Sequence, residues 1–253
     1  MQLGFGSGIL VGTPTFDFNG NAIANPTPTR FGVLQDVSID MSFDLKELFG
    51  GYTAPVAIAQ GKTKISGKAK FAQLNGTMLN NIVFGAAYTN LQTGFVNDTT
   101  GAAVPASTPW QITPTVPGSG TWLMDAGVNY AGGRPLQRVV SAPIAGQYSV
   151  AAGVYTFAVA DAGTLVFINF EYTATSTIAK KITLPNRLMG PAPQFRADLL
   201  IPYGASQFVF TLGACSTAKF SFATKMDDFM MPELDFMAFA DPLGNIAYLS
   251  LAE

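Results

Sequence analysis

Glu233 and Asp235, two residues apart in Met231-Pro232-Glu233-Leu234-Asp235-Phe236, come nearest to a catalytic arrangement. On a strand they would share one face at roughly 7 Å, a separation some glycosidases use. The same spacing arises on any wet strand, so a plain charged face is the simpler reading. Asp36, Asp40 and Asp44 raise the question of a bound cation. Carboxylates four apart on a strand lie roughly 13 Å from one another, too far for one ion to bridge. They form a charged stripe instead. Lys62, Lys64, Lys68 and Lys70 are its basic counterpart and hold four of the 14 basic residues. Taken alone, they read as a solvated strand face.

Residue counts exclude most other chemistry. The 253-residue chain has no histidine, which removes Ser-His-Asp and Cys-His pairs, imidazole bases and His-ligated metals. Its one cysteine, Cys215, can form neither an intrachain disulfide nor a thiolate cluster. With no basic neighbour to lower its pKa, Cys215 reads as a small buried residue. Gly4, Gly6 and Gly8 lack the preceding strand and following helix of a dinucleotide site. Asn97-Asp98-Thr99 matches a glycosylation acceptor but reads as a turn. No catalytic residue, cofactor or metal is expected.

Charge and hydropathy point toward burial against partners. Only 12% of residues are charged, about half the share of an ordinary soluble domain, and 48% are hydrophobic with a mean hydropathy of +0.28. The formal charge of −2 argues against binding nucleic acid through a basic face. The first residues lack a basic stretch, which reads against a secretory signal. Val139–Ala160 carries no charge but is broken by Pro143, Gly146, Gln147 and Gly153, so no membrane span is expected there.

The elements that would position these groups are mostly strands. Val37, Ile39, Met41, Phe43 and Leu45 alternate with Asp36, Ser38, Asp40, Ser42 and Asp44, which predicts a strand with one buried and one wet face. Thr63, Ile65, Gly67, Ala69 and Phe71 alternate with the lysines in the same way. Lys46–Pro55 between them is too long for a tight turn, predicting antiparallel neighbours joined by a projecting loop. Opposite charges would then face each other across the pair. Leu74, Met78, Leu79, Ile82 and Val83 fall on one helical face, with Gly85 as the cap, predicting a helix over about 74–85. Many short strands follow, with no fixed repeat. The pattern predicts a mainly β fold: a sandwich or barrel with one flanking helix and a β-rich middle elaboration. Residues 1–30, rich in Gly, Pro, Thr and Asn, read as an extended N-terminal arm; 31–87 and 177–253 as the β core; and 88–176 as an insertion or elaboration of the same domain.

Three stretches resemble a known family. They are Val33–Asp40, then Pro55–Phe71 with the helix ending Phe84-Gly85, and Ala218–Phe222 followed by Met231–Phe236 and Ala238–Asp241. Together with the order strand, long loop, strand, helix, strands, they look like the major tail tube protein of long-tailed bacteriophages. The resemblance implies a β-sandwich that assembles into hexameric rings stacked as a tube. Its partners would be copies of itself, the tape-measure protein and the tail-end proteins, with phage DNA passing through the lumen unbound. It further implies a virion component assembled in the host cytoplasm, with no catalytic residues and no membrane. Two other classes stay open: another β-rich virion protein, such as a head decoration or baseplate component, and a carbohydrate-binding module with Trp110 and Trp122 as its platform.

Two expectations attach to particular residues. Asp36, Asp40 and Asp44 are expected to line the lumen, where a polyanion should meet weak or balanced charge; the lysine stripe would share the lumen or face a neighbouring subunit. Leu48, Phe49, Tyr52, Val56 and Ile58, in the segment Leu45–Ala59, are expected to be apolar contacts between subunits.

Overall fold

Charge pairing and alternation fix the register of the longest strand pair. Leu34–Phe49 and Pro55–Phe71 run antiparallel, with Asp36 opposite Lys70, Ile39 opposite Gly67 and Met41 opposite Ile65. The computed structural model describes residues 6–86, 88–203 and 206–251. Met1–Phe5, which carry Gly4 and the start of the expected arm, lie outside the described residues, as do Ala87 and the last two residues. The fold is mainly β, with 54% of residues in strands and 6% helical.

In chain order the strands begin with β1 (Ile9–Phe16), β2 (Thr29–Arg30), β3 (Leu34–Phe49), β4 (Pro55–Phe71), β5 (Tyr88–Thr89) and β6 (Leu91–Val96). They continue with β7 (Ala102–Ala103), β8 (Gln111–Ile112), β9 (Thr121–Tyr130), β10 (Gln137–Arg138), β11 (Gln147–Ala151) and β12 (Val154–Phe157). The last six are β13 (Leu165–Thr175), β14 (Lys181–Ile182), β15 (Gln194–Tyr203), β16 (Ser206–Ser221), β17 (Glu233–Phe239) and β18 (Ala247–Leu251). They belong to two units, Met1–Ala87 with Ile182–Glu253, and Tyr88–Lys181.

The first unit is one eight-stranded sheet in the order β2-β1-β15-β16-β17-β4-β3, with β18 also paired to β16. Its core includes Leu10, Phe31, Ile65, Phe71, Met78, Ile82, Phe195, Leu212, Leu234 and Phe236. The helix seals this core. Asn75 caps α1 (Gly76–Leu79) by accepting from the Thr77 and Met78 amides, and the chain continues as a π-helical turn over Asn80–Phe84. Gly85 ends it in the left-handed region at φ 57°, in the cap position expected. Gly12 makes the docking possible, because a Cβ there would lie 2.5 Å from the Ile82 side chain.

Three expectations are corrected. Residues 9–16 are strand β1 of the main sheet, antiparallel to β15, and Leu10 is 1% exposed. Inward-facing Leu10, Gly12 and Pro14 alternate with Ile9, Val11 and Thr13, a pattern that two small or ring-shaped residues hide from a hydropathy reading. The projecting loop is instead strand on both sides, reducing the turn to residues 50–54. The apolar face of β3 is covered only in its first half. Val37 and Ile39 pack against the core, whereas Met41, Phe43 and Leu45 are exposed.

The second unit has two small sheets, β10-β11-β12-β8 and β6-β13-β7 with β9 also on β13. Val104, Val128, Leu136, Tyr148, Tyr155, Phe157, Val166, Ile168 and Phe170 form a core of its own. One carboxylate ties the sheets together. Asp125 on β9 accepts from Tyr148 Oη on β11 at 2.7 Å and from Tyr155 Oη on β12 at 3.2 Å, with Arg138 of β10 3.7 Å away.

Candidate functional site

Cross-strand neighbours in the first unit build a charged face. Asp36 on β3 faces Lys70 on β4, which faces Glu233 on β17; in the next row Ser38 faces Lys68, which faces Asp235. Asp235 in turn faces Lys219 on β16, while Asp40 faces Ser66 and Ser42 faces Lys64. Four carboxylates (Asp36, Asp40, Glu233, Asp235) and four ammonium groups (Lys64, Lys68, Lys70, Lys219) thus share one side of four strands. Their charges cancel. Asp44 pairs with Lys46 at 2.8 Å, and Lys62 is exposed beside the irregularity in pairing near Leu45.

Glu233 is the hub of this face. Lys68 Nζ lies 2.9 Å from one of its oxygens and Lys70 Nζ 3.1 Å from the other. Hydrogen bonds from these two lysines hold the Glu233 carboxyl below its usual range, and the Glu233 bond and charge raise the Lys68 ammonium pKa. A general acid at neutral pH needs a raised pKa, so the arrangement is the reverse of what glycoside protonation requires. Asp235, held between Lys68 and Lys219, has Oδ1 buried without a hydrogen-bond partner among the described residues. Lys219 was missed in the sequence reading, although it alternates with Ala218 and Phe220 as the other lysines do with their neighbours.

Beyond the ladder the hairpin continues without cover. Leu48 and Phe49 end β3, Tyr52 lies in the turn, and Val56 and Ile58 begin β4. Tyr52 is 83% exposed and the other four lie between 54% and 66%. Leu45, Phe43 and Met41 follow toward the core at 58%, 50% and 45%; Ile58, opposite Glu47, shares their face, whereas Leu48, opposite Ala57, lies on the other. Large apolar side chains left exposed together on one hairpin mark interaction sites on folded proteins. All five residues of the expected contact segment are on the surface, four of them on strands.

Other candidate groups are structural. Cys215 lies within the continuous strand β16, fully buried, and burial with the nearby Asp198 charge pushes its thiol up to about 12. Trp110 and Trp122 pack against the second core, and Trp122 Nε1 donates to Tyr155 Oη at 3.3 Å. They therefore do not form an exposed aromatic platform. At Asn97-Asp98-Thr99 the chain turns, as expected. Burial opposes ionisation of Asp98, but amides of Gly101, Ile168 and Thr100 donate to its carboxylate and leave its pKa lowered. Among the described residues no group of His, Cys, Asp and Glu could hold a metal, and no helix is long and apolar enough to cross a membrane.

No protein-family model matches the chain, and a comparison with curated proteins found no match.

Proposed function

We propose that this chain is a non-catalytic structural protein of a bacteriophage virion, which polymerises as stacked hexameric rings into the tail tube. The observation that carries the reading is the outer half of the β3–β4 hairpin. Eight large apolar side chains there, Met41, Phe43, Leu45, Leu48, Phe49, Tyr52, Val56 and Ile58, are 45–83% exposed on the outer strands and turn of the hairpin. Leaving them in water forgoes about 1.5–3 kcal/mol for each large side chain a partner could cover. Copies of the same chain are the economical partner, since a heterologous contact between them closes into rings or extends as a filament.

The balanced ladder supports the conduit part of the reading. A lumen must not retain the genome, and each net cation facing DNA would strengthen retention by releasing counterions. The face bearing Asp36 and Asp40 offers as many carboxylates as ammonium groups, and in this reading it and Asp44 line the channel. Tape-measure and tail-end proteins would be further partners, and assembly would take place in the host cytoplasm.

Negative-stain imaging and size-exclusion chromatography of the purified protein test the proposal. Hollow tubes or rings are the expected product. A monomer at all concentrations would favour a head decoration or baseplate protein instead. Tubes from the doubly substituted Phe49→Asp, Tyr52→Asp protein would move the contact away from the hairpin.

A further inference from the structure

The second unit contains a cleft whose lining differs in kind from the rest of the surface. It measures about 240 Å³ and is lined by Asn97, Asp98, Asn129, Asn169, Tyr130, Phe167 and Gly132-Gly133. Three primary amides converge there. Asn169 is only 9% exposed; its Oδ1 accepts from the Asp98 amide at 3.0 Å, and its Nδ2 has no hydrogen-bond partner among the described residues. The side chains of Asn97 and Asn129 likewise bond no described residue.

The charges around the cleft are already spent. Both Asp98 oxygens are taken by backbone amides, Oδ1 by Thr100 and Gly101 and Oδ2 by Ile168. Tyr130 Oη donates to Asp161 at 2.7 Å, and the Arg134 guanidinium stacks over the Tyr130 ring at 4.7 Å, which covers one ring face. Amide donors and acceptors and a half-buried Phe167 ring remain, with no unpaired ion. The unit as a whole is equally neutral. Its 94 residues carry four acids (Asp98, Asp125, Asp161, Glu171) and four bases (Arg134, Arg138, Lys180, Lys181), and the first three acids are bonded inside.

We propose that this cleft binds one residue of a neutral carbohydrate. A pyranose presents hydroxyl groups that both donate and accept, as the three amides do. Its C–H face suits an aromatic ring, and its size suits a cleft this small. Anions find no counter-charge, because the nearest cation is stacked on Tyr130. A purely apolar ligand would leave the Asn169 amine unpaired. The proposal stands apart from tube formation and does not depend on it.

Saturation-transfer difference NMR on the full chain tests it, with the methyl glycosides of glucose, galactose, mannose and N-acetylglucosamine as probes and glucuronate as the charged control. At least one neutral glycoside should give saturation transfer with a Kd on the order of millimolar, as suits a ligand of about a dozen non-hydrogen atoms. Asn129→Ala should weaken it about tenfold, the effect of one lost hydrogen bond. Asn169→Ala should do so at least as strongly; because Asn169 also holds the Asp98 loop, Asn129→Ala and Asn97→Ala, which break no internal bond, keep the test independent of folding. Silence from all four neutral glycosides would overturn the proposal. So would saturation transfer that survives in both Asn129→Ala and Asn97→Ala, or glucuronate binding more tightly than the neutral sugars.

Discussion

The two halves of the β3–β4 hairpin share one sequence pattern and meet opposite fates. Near the base, Ile65, Ala69 and Phe71 are buried and Val37 and Ile39 pack on the same core. Toward the tip, Met41, Phe43 and Leu45 continue the alternation of Val37 and Ile39 and face solvent. The difference lies outside the hairpin. β17 flanks β4 only from Ile65 to Lys70, and no described strand flanks it beyond that point. Alternation decides which way a side chain points, but whether that side is covered depends on residues far along the chain.

The strongest way to break this comparison is to remove the cover at the base. Phe236, 1% exposed, lies over Gly67 and meets Phe195 edge-on with ring centroids 5.8 Å apart. Phe236→Ala should cost about 3–5 kcal/mol, read by urea denaturation. A cost below about 1 kcal/mol would mean that the base is no better supported than the tip. At the tip, Phe49→Asp with Tyr52→Asp should leave stability within about 0.5 kcal/mol of the parent while abolishing assembly. A loss of stability as large as that from Phe236→Ala would show that the tip is packed within its own chain.

A smaller effect separates the two ends by pH. The Glu233 pKa is lowered from 4.5, so its contribution is present above that value and fades as pH falls through the lowered one. The Lys68 pKa is raised from 10.5, so its contribution is present below that value and fades as pH rises past it. The Tm of the parent should therefore hold a plateau between about pH 5 and 10 as far as this ladder is concerned. In Glu233→Gln the drop between pH 7 and 3 should shrink; an unchanged drop would show that the ladder does not steady the base. The smallest signal is chemical. Cys215, with its thiol held near 12 by burial, should react with a disulfide reagent at neutral pH only when urea unfolds the base. Rapid labelling in the folded protein would place it nearer solvent than its full burial allows.

Local features of this fold were legible because their causes are local. The period-two runs placed β3 and β4, and the Leu74–Val83 face with Gly85 placed the helical segment and its cap. Features that depend on distant partners were not. β1 was hidden because Gly12 and Pro14 occupy two of its inward positions, and it becomes a strand only by pairing with β15. β16 runs through Gly213–Ser216 because β15 and β17 hold it on either side. The helical segment is α-helical for one turn and then widens, which its apolar spacing does not reveal. At the candidate site, the opposition of aspartate and lysine stripes could be read from the residues. The third row, Glu233 and Asp235, could not be added to it without knowing that β17 lies against β4.

Pairing across such distances has a consequence for the order of events during synthesis. Ile9 pairs with Leu200, 191 residues later, whereas among the described residues strands β6 to β13 pair only with one another. At about 5–20 residues per second, a ribosome needs roughly 10–40 s to supply the partner that β1 requires. The second unit can complete its pairings within that interval. The β3–β4 hairpin is also made early, but its flanking strand β17 comes more than 160 residues after Phe71. The apolar tip therefore emerges well before the sheet that supports its base, on a nascent chain still unable to present a finished subunit. Under the proposed function that delay would separate synthesis from polymerisation in time, with Phe49 open to crosslinking on stalled ribosomes carrying fewer than about 230 residues.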